Sequence, residues 1–336
     1  MASVYRTLLN TVARTGAQVV DLAPGAAVLA RSRRKWAGAC LEDGAHLVTS
    51  RGKWTDSPLE DGAHLVTRRG KWAATPLAEG AQLIVDERKS RAQEHGFQKA
   101  AADYLGARHV AAMLESYGVN CVFDVGANVG QYGRRLREFG YKGRIVSFEP
   151  VPRFLEKLQK RAEGDPDWHV VPCGLGRVDT IQPMHVEWLS MSSLLPPSEY
   201  GNTRYKRFVK GGTEDIQICR LDGLMDKALD GIDNPQPYLK MDTQGYDLEV
   251  FAGAGERISE FVGLQSEVAL LRIYEGSPRM AEALAEYERE GFEVTGMYPV
   301  TQESGSGRVL EFDCVMMRAS ETPVPLPRGQ HAAQQS

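Results

Sequence analysis

Between residues 121 and 149 the hydrophobic pattern changes period twice. Cys121 to Val125 is a short run, apolar apart from Asp124. Gln131 to Phe139 carries its apolar residues at helical spacing, and Arg144 to Phe148 is a second short run. The pattern predicts a strand, a helix and a strand. Gly126-Ala-Asn-Val-Gly130 makes the turn between the first two, and Glu149 follows the third. This is the layout of one nucleotide-binding half of a doubly wound sheet. Later runs predict further strands at Trp168 to Cys173, Tyr238 to Met241, Val262 to Val268, Phe292 to Tyr298 and Glu311 to Met317, the last two as an antiparallel closing hairpin. Helical patterns separate them over 86–118, over Tyr246 to Ala252, and at Met280, Ala283, Leu284 and Tyr287. Alternating β and α segments predict a mostly parallel sheet covered on both faces.

A different pattern precedes this region. Trp36, Trp54 and Trp72 recur at intervals of 18 residues, in units clearest from Lys53 to Gly70. Asp43-Gly44 and Asp61-Gly62 are hairpin-turn dipeptides, and short runs such as Ala63 to Thr67 lie between them. The expected organisation is an N-terminal helix or linker over 1–33, three β-type repeats over 34–85, one α/β domain over 86–318 and a disordered tail over 319–336. The repeat tryptophans read first as packing within the array, because large aromatics usually fill cores, and only second as a contact surface, including one for self-association. His46 and His64 recur without acid or cysteine partners, so no metal site is expected there.

Composition narrows the picture. The net charge of −4 argues against a nucleic-acid binder, although Arg6, Arg14, Arg31, Arg33, Arg34 and Lys35 oppose only Asp21 in residues 1–36. Five cysteines without a C-x-x-C pair suggest neither a disulfide framework nor a zinc site, and point to a reducing cytoplasm. No apolar run reaches the length of about 18 residues that a membrane span requires.

The glycine turn narrows the ligand. A dinucleotide fingerprint needs Gly-x-Gly-x-x-Gly, and here Asn128 and Gln131 stand at the second and third glycine positions. Asp124, just before the turn, is unfavourable beside a pyrophosphate and favourable beside a cation. Gly126 and Gly130 permit close backbone approach, and Glu149 is placed to accept ribose hydroxyls. Ligands of such sheets bind beyond the carboxyl ends of the strands, where Asp124, Glu149, Cys173, Gly174, Asp242 and Glu267 all fall. Asp242 serves equally as a cap for the helix from Tyr246, and Glu267 as an ion-pair partner for Arg272. The long stretch between Ile181 and Lys210, with Arg204, Tyr205, Lys206, Arg207, Phe208 and Lys210, reads as a substrate lid or as a solvated basic face.

Taken together, Phe123-Asp-Val-Gly-Ala-Asn-Val-Gly130, Ser147-Phe-Glu-Pro150, Arg220-Leu-Asp-Gly-Leu224, Leu239-Lys-Met-Asp-Thr-Gln-Gly245, Glu249-Val-Phe-Ala-Gly253 and Leu264-Gln-Ser-Glu-Val268 resemble the FkbM-type family of S-adenosylmethionine-dependent methyltransferases. The resemblance runs over about residues 100–318. It implies a seven-stranded, Rossmann-like class I methyltransferase sheet, S-adenosylmethionine as cofactor, and O-methylation of hydroxyls on sugars or natural products. It further implies that Asp124, Gly126, Asn128 and Gly130 line the methionine end of the cofactor, that Glu149 holds the ribose, and that Asp242 faces the methyl-transfer site. The chain departs from the family where an Asp-x-Glu-Gly-x-Glu run becomes Asp242-Thr-Gln-Gly-Tyr-Asp247.

Methyl transfer from a sulfonium gains most from holding nucleophile, methyl carbon and sulfur in line. A base for the hydroxyl proton adds to this; Asp242 is the first candidate and His185 the second. The expected partner is a small-molecule or glycan substrate. Two other readings are a non-catalytic binding protein on the same fold that uses the repeat, and an NAD-dependent oxidoreductase, which the missing glycines oppose.

Overall fold

The computed structural model describes residues 94–187, 191–205, 208, 211–303 and 306–319, with side-chain detail from residue 102, and eight strands between residues 18 and 86. Residues 1–97 and 98–336 form two units.

In the first unit the strands pair as four antiparallel hairpins: β1 (Gln18–Ala23) with β2 (Ala26–Ala30), β3 (Trp36–Cys40) with β4 (His46–Ser50), β5 (Trp54–Pro58) with β6 (His64–Arg68), and β7 (Trp72–Pro76) with β8 (Gln82–Asp86). Each 18-residue unit of 34–85 is one hairpin, and Trp36, Trp54 and Trp72 face Ser50, Arg68 and Asp86 in one common register. The helix or linker expected over 1–33 is corrected over 18–30, which is also a hairpin. Val19-Val20 and Val28-Leu29 favour strand, and Pro24-Gly25 between them is a turn dipeptide. Residues 1–17 and the expected tail beyond 319 lie outside the described residues.

The second unit is the α/β domain. It contains α1 (Glu94–Ser116), β9 (Cys121–Val125), α2 (Gln131–Glu138), β10 (Arg144–Phe148), α3 (Pro152–Ala162), β11 (Trp168–Val171), β12 (Gly174–Leu175), β13 (Thr180–Val186), α4 (Glu199–Arg204), β14 (Gly212–Cys219), α5 (Asp222–Leu229), β15 (Pro237–Met241), α6 (Asp247–Gly253), β16 (Gly263–Ala269), α7 (Met280–Arg289), β17 (Phe292–Gln302) and β18 (Val309–Arg318). Seven strands form one sheet in the order β11-β10-β9-β15-β16-β18-β17. The first five are parallel; β18 runs antiparallel to β16, and β17, antiparallel to β18, runs in the direction of the first five. The chain winds outward from β9 to β11 and then restarts in the other direction from β15. The crevice between β9 and β15, at their carboxyl ends, is therefore the topological switch point.

Both faces of the sheet are buried, and alternation along each strand divides the core in two. Phe123, Phe148, Leu239, Met241 and Leu264 pack against Met225 of α5, Val250 and Phe251 of α6 and Tyr287 of α7. Val122, Ile145, Tyr238 and Val315 face the other way, onto Val110 and Leu114 of α1, Leu136 of α2 and Leu158 of α3. A central side chain buried in this way contributes about 1.5–3 kcal/mol. The segment between β11 and β15 is not a simple loop. Its strands form a second sheet in the order β12-β14-β13, beside the switch point.

Candidate functional site

A cleft of about 660 Å³ lies over the switch point. Its walls are the turn after β9, the start of α2, the end of β10, the small β12-β14-β13 sheet and the turn after β15. Backbone geometry brings the two central turns together. Gly126 has φ 75°, and a Cβ there would stand 2.1 Å from the carbonyl oxygen of Asp242. Only glycine allows both that conformation and that approach.

Glu149 ties the next two turns together. The Asn128 N–H donates to its Oε2 and the Val151 N–H to its Oε1, each at 2.8 Å. Asn128 reaches this position with φ 50°, a conformation asparagine tolerates. Burial pushes the Glu149 carboxyl up to about 7, against the pull of the two N–H donors. Each oxygen keeps a further lone pair, and the residue lines the cleft.

Asp124 sits differently from the expectation. It is wholly buried and absent from the cleft wall. Alternation turns its side chain toward the α1–α2 face, where Lys240 Nζ pairs with it at 3.2 Å and the Ser147 hydroxyl donates to it at 3.1 Å. Lys240 also reaches Asp242 at 3.6 Å and lies 5.2 Å from the centre of the Tyr132 ring. Burial pulls the Lys240 ammonium down, but the charges of Asp124 and Asp242 outweigh it and hold the group above the ordinary lysine value. Asp124 thus acts on the cleft through Lys240. Sequence reasoning gave Lys240 no role. The available signal was a lysine inside an apolar strand, in register with Asp124 on the neighbouring strand.

Asp242 lines the cleft and is about one-third exposed. It is not the cap of α6, which begins after Tyr246 with no side-chain cap. Gln244, at φ 55°, donates through Nε2 to Asp242 at 3.0 Å and to Glu267 at 2.8 Å, while its Oε1 accepts from the Tyr274 hydroxyl at 3.0 Å. The amide suits a place between two carboxylates; a third carboxylate would face repulsion. Ser193, in the long insertion, donates to the Gln244 carbonyl at 2.7 Å and so fastens the insertion to this turn. Glu267 is held well above the ordinary carboxyl range by burial, then by Glu311 and Asp242. Asp247 is structural: it is buried and accepts from the Thr243 N–H and hydroxyl, the Ser266 hydroxyl and the Glu267 N–H.

Three further expectations are corrected. Gly130 does not line the cleft. It heads α2 at φ 78°, where a Cβ would meet Leu158 Cδ1 at 2.8 Å, so its role is packing the helix onto α3. Cys173 is in the core with Leu175 and Leu221, and burial raises its thiol; only its neighbour Gly174 lines the cleft. His185 is exposed on β13, on the opposite side of the strand from Met184, which does line the cleft. It borders a separate hollow with Met191 and Asn202, so the structure does not bring it to Asp242. Sequence reasoning missed Phe154, Met184, Ile216 and Leu194, the apolar side chains of the cleft. Met184, Leu194 and Ile216 come from the insertion and Phe154 from the first turn of α3, and nothing local marked them.

An open sheet with this strand order, this switch-point cleft and an acid after the second strand is of the Rossmann-like class I methyltransferase type. The family model for the methyltransferase FkbM domain matches residues 124–294, and the chain belongs to that family. Among curated relatives, it is 26% identical to the 2-O-methyltransferase NoeI of Sinorhizobium fredii over 201 residues, covering 56% of this chain and 79% of that protein. It is 25% identical to the methyltransferase sdnD of Sordaria araneosa over 199 residues, 52% of this chain and 74% of that one. Among solved structures, a putative methyltransferase from Thermobifida fusca aligns over 67% of this chain and 83% of its own, with 11% identity and a TM-score of 0.40.

Proposed function

We propose that the protein transfers a methyl group from S-adenosylmethionine to a hydroxyl of a sugar or a related polyhydroxylated product. The observation that carries the reading is Glu149, a buried carboxylate fixed by the amides of two turns, with both oxygens able to accept from a ribose. The apolar side chains of Phe154, Met184 and Ile216 line the same cleft as Glu149 and suit a purine ring. Asp242, which also lines the cleft, is the carboxylate that a methionine ammonium or sulfonium requires. The bound cofactor would supply an electrophilic methyl group. The chain's own part is to hold the acceptor hydroxyl in line with it, which is the larger share of catalysis in a displacement of this kind. Asp242 is assigned to accept the hydroxyl proton, oriented for that by Gln244 and Lys240. The name of the relative NoeI, a 2-O-methyltransferase, supports oxygen as the acceptor atom.

Calorimetric titration of S-adenosylmethionine and of NAD, followed by a labelled-methyl screen over glycan acceptors, tests the reading. Binding of the first alone, lost in Glu149→Ala, is expected. Binding of NAD alone, or no label transfer to any hydroxyl acceptor, would overturn it.

A further inference from the structure

Gln244 stands between Asp242 and Glu267, and its hold on them depends on a residue from another part of the chain. Tyr274 lies in the loop between β16 and α7 and is buried. Its hydroxyl is 3.0 Å from Gln244 Oε1 and 3.0 Å from the Met191 carbonyl of the insertion. A hydroxyl that donates to Oε1 leaves the NH₂ end of the amide for the two carboxylates. Both hydrogens of that end are used, one on Asp242 Oδ1 and one on Glu267 Oε2.

The Tyr274 end of this chain of contacts is the fixed one. Backbone bonds on either side of it join the loop to the insertion. The Glu275 N–H donates to the Pro196 carbonyl at 2.8 Å, and the Ser198 N–H to the Ile273 carbonyl at 2.9 Å. The Ser198 hydroxyl adds a bond to the Arg272 carbonyl at 2.8 Å. Gly201 of α4 closes on the same loop, since a Cβ there would stand 2.3 Å from the Ile273 carbonyl oxygen. The Tyr274 ring packs with Met191, Ile273 and Phe208, the last at 5.6 Å between ring centres. Asp242 is the free end, about one-third exposed. A side chain with that freedom keeps one geometry only where packed neighbours and their hydrogen bonds hold it.

Two roles compete for Tyr274. Packing needs only the ring, and phenylalanine would serve. A hydroxyl buried among apolar side chains is costly unless bonded, and this one is bonded to the amide that holds the carboxylate of the cleft. We propose that Tyr274 is a positioning residue for Asp242: it fixes the Gln244 amide, and through that amide the insertion holds the carboxylate in place. The inference rests on the methyl-transfer reading, in which Asp242 meets the cofactor.

A double-mutant cycle on S-adenosylmethionine affinity, measured by calorimetry on the full chain, tests the assignment. Tyr274→Phe, which keeps the ring, should weaken binding roughly three- to tenfold, the worth of one hydrogen bond. Gln244→Ala should weaken it at least as much. Tyr274→Phe should add nothing to the loss already caused by Gln244→Ala, and nothing to that caused by Asp242→Asn. A hydroxyl that served only the fold would add its own loss in both backgrounds. The assignment alone is overturned if Tyr274→Phe binds the cofactor as tightly as the wild type, if its loss is additive with that of Gln244→Ala, or if the variant does not fold. If the wild-type protein binds no S-adenosylmethionine, the methyl-transfer reading falls and takes the assignment with it.

Discussion

On the proposed function, Glu149 links cofactor affinity, stability and pH in one side chain. Its carboxyl is pushed up to about 7 by burial, so without ligand about one-tenth is ionised at pH 6 and about nine-tenths at pH 8. A ribose donating two hydroxyls favours the ionised form. Apparent affinity scales with the competent fraction, so S-adenosylmethionine should bind about tenfold more weakly at pH 6 than at pH 8, a difference of about 1.4 kcal/mol. The same group acts on stability with the opposite benefit. Its native value lies above the 4.5 of an ordinary glutamate, so the folded state holds this proton more tightly than the unfolded chain. Stability from this group is complete below about pH 4.5 and is lost as pH rises toward 7, by about 3 kcal/mol in all. Glu149→Gln should abolish the dependence of affinity on pH and remove this group's share, about 3 kcal/mol, of the dependence of stability, while Glu311 and Asp313 keep theirs. The amide accepts one of the two backbone N–H groups and sets its own NH₂ against the other, at a cost of about 1–3 kcal/mol, so its stability at pH 8 should stay near that of the wild type. Calorimetry and urea unfolding at pH 5, 6 and 8 on both proteins measure these effects (the pH values, roughly, bracket the titration). A Glu149→Gln protein that keeps the wild-type dependence of affinity and of stability on pH would refute the reasoning.

Two further substitutions test the frame around the cleft. Gly126→Ala places a side chain at φ 75°, costing about 1–2 kcal/mol, and drives its Cβ into the Asp242 carbonyl. Cofactor affinity should fall more than roughly tenfold with a lower melting temperature, and calorimetry with scanning fluorimetry will show whether the two turns must touch. Lys240→Met leaves Asp124 as an uncompensated buried charge and should destabilise the fold by about 3–5 kcal/mol; adding Asp124→Asn should recover much of the loss in urea unfolding, and failure to recover would rule out the pairing.

The parts of the domain that the sequence announced are those whose signal is local. Strand β9, helix α2, strand β10 and Glu149 follow from a change of hydrophobic period, two glycines and one acid within thirty residues or so. The parts it hid depend on a partner strand. In a sheet buried on both faces the central strands lose their polar alternation, so nothing in Cys121 to Val125 says which way Asp124 turns. Cys173 and Gly174 are adjacent, yet the chain leaves the main sheet between β11 and β12, and only the glycine reaches the cleft. His185 lies on a strand that does alternate, but which side faces the cleft depends on the pairing with β14, a strand that the residues of the insertion did not reveal.

The acids at the rim illustrate the same limit more sharply. By sequence, Asp124, Asp242 and Glu267 at the strand ends suggest a strongly negative crevice waiting for a cation. The structure supplies most of the compensation from within. Asp124 is neutralised by Lys240, and Asp242 is shared between Lys240 and Gln244. Glu267 is held well above the ordinary range by burial, and Glu311 and Asp313 are pushed up to about 7 and about 6, again by burial first. Burial thus disfavours the charged forms of Glu267 and Glu311. A count of acids therefore overstates the field that a ligand meets. On the proposed function, the attraction for a cationic cofactor comes down to Asp242, one partly exposed carboxylate hydrogen-bonded by Gln244, an amide where the resemblance leads one to expect an acid. Gln244 is then the compensating change that lets Asp242 and Glu267 approach one side chain without mutual expulsion, and its glutamate counterpart would need a proton or a cation in the same place.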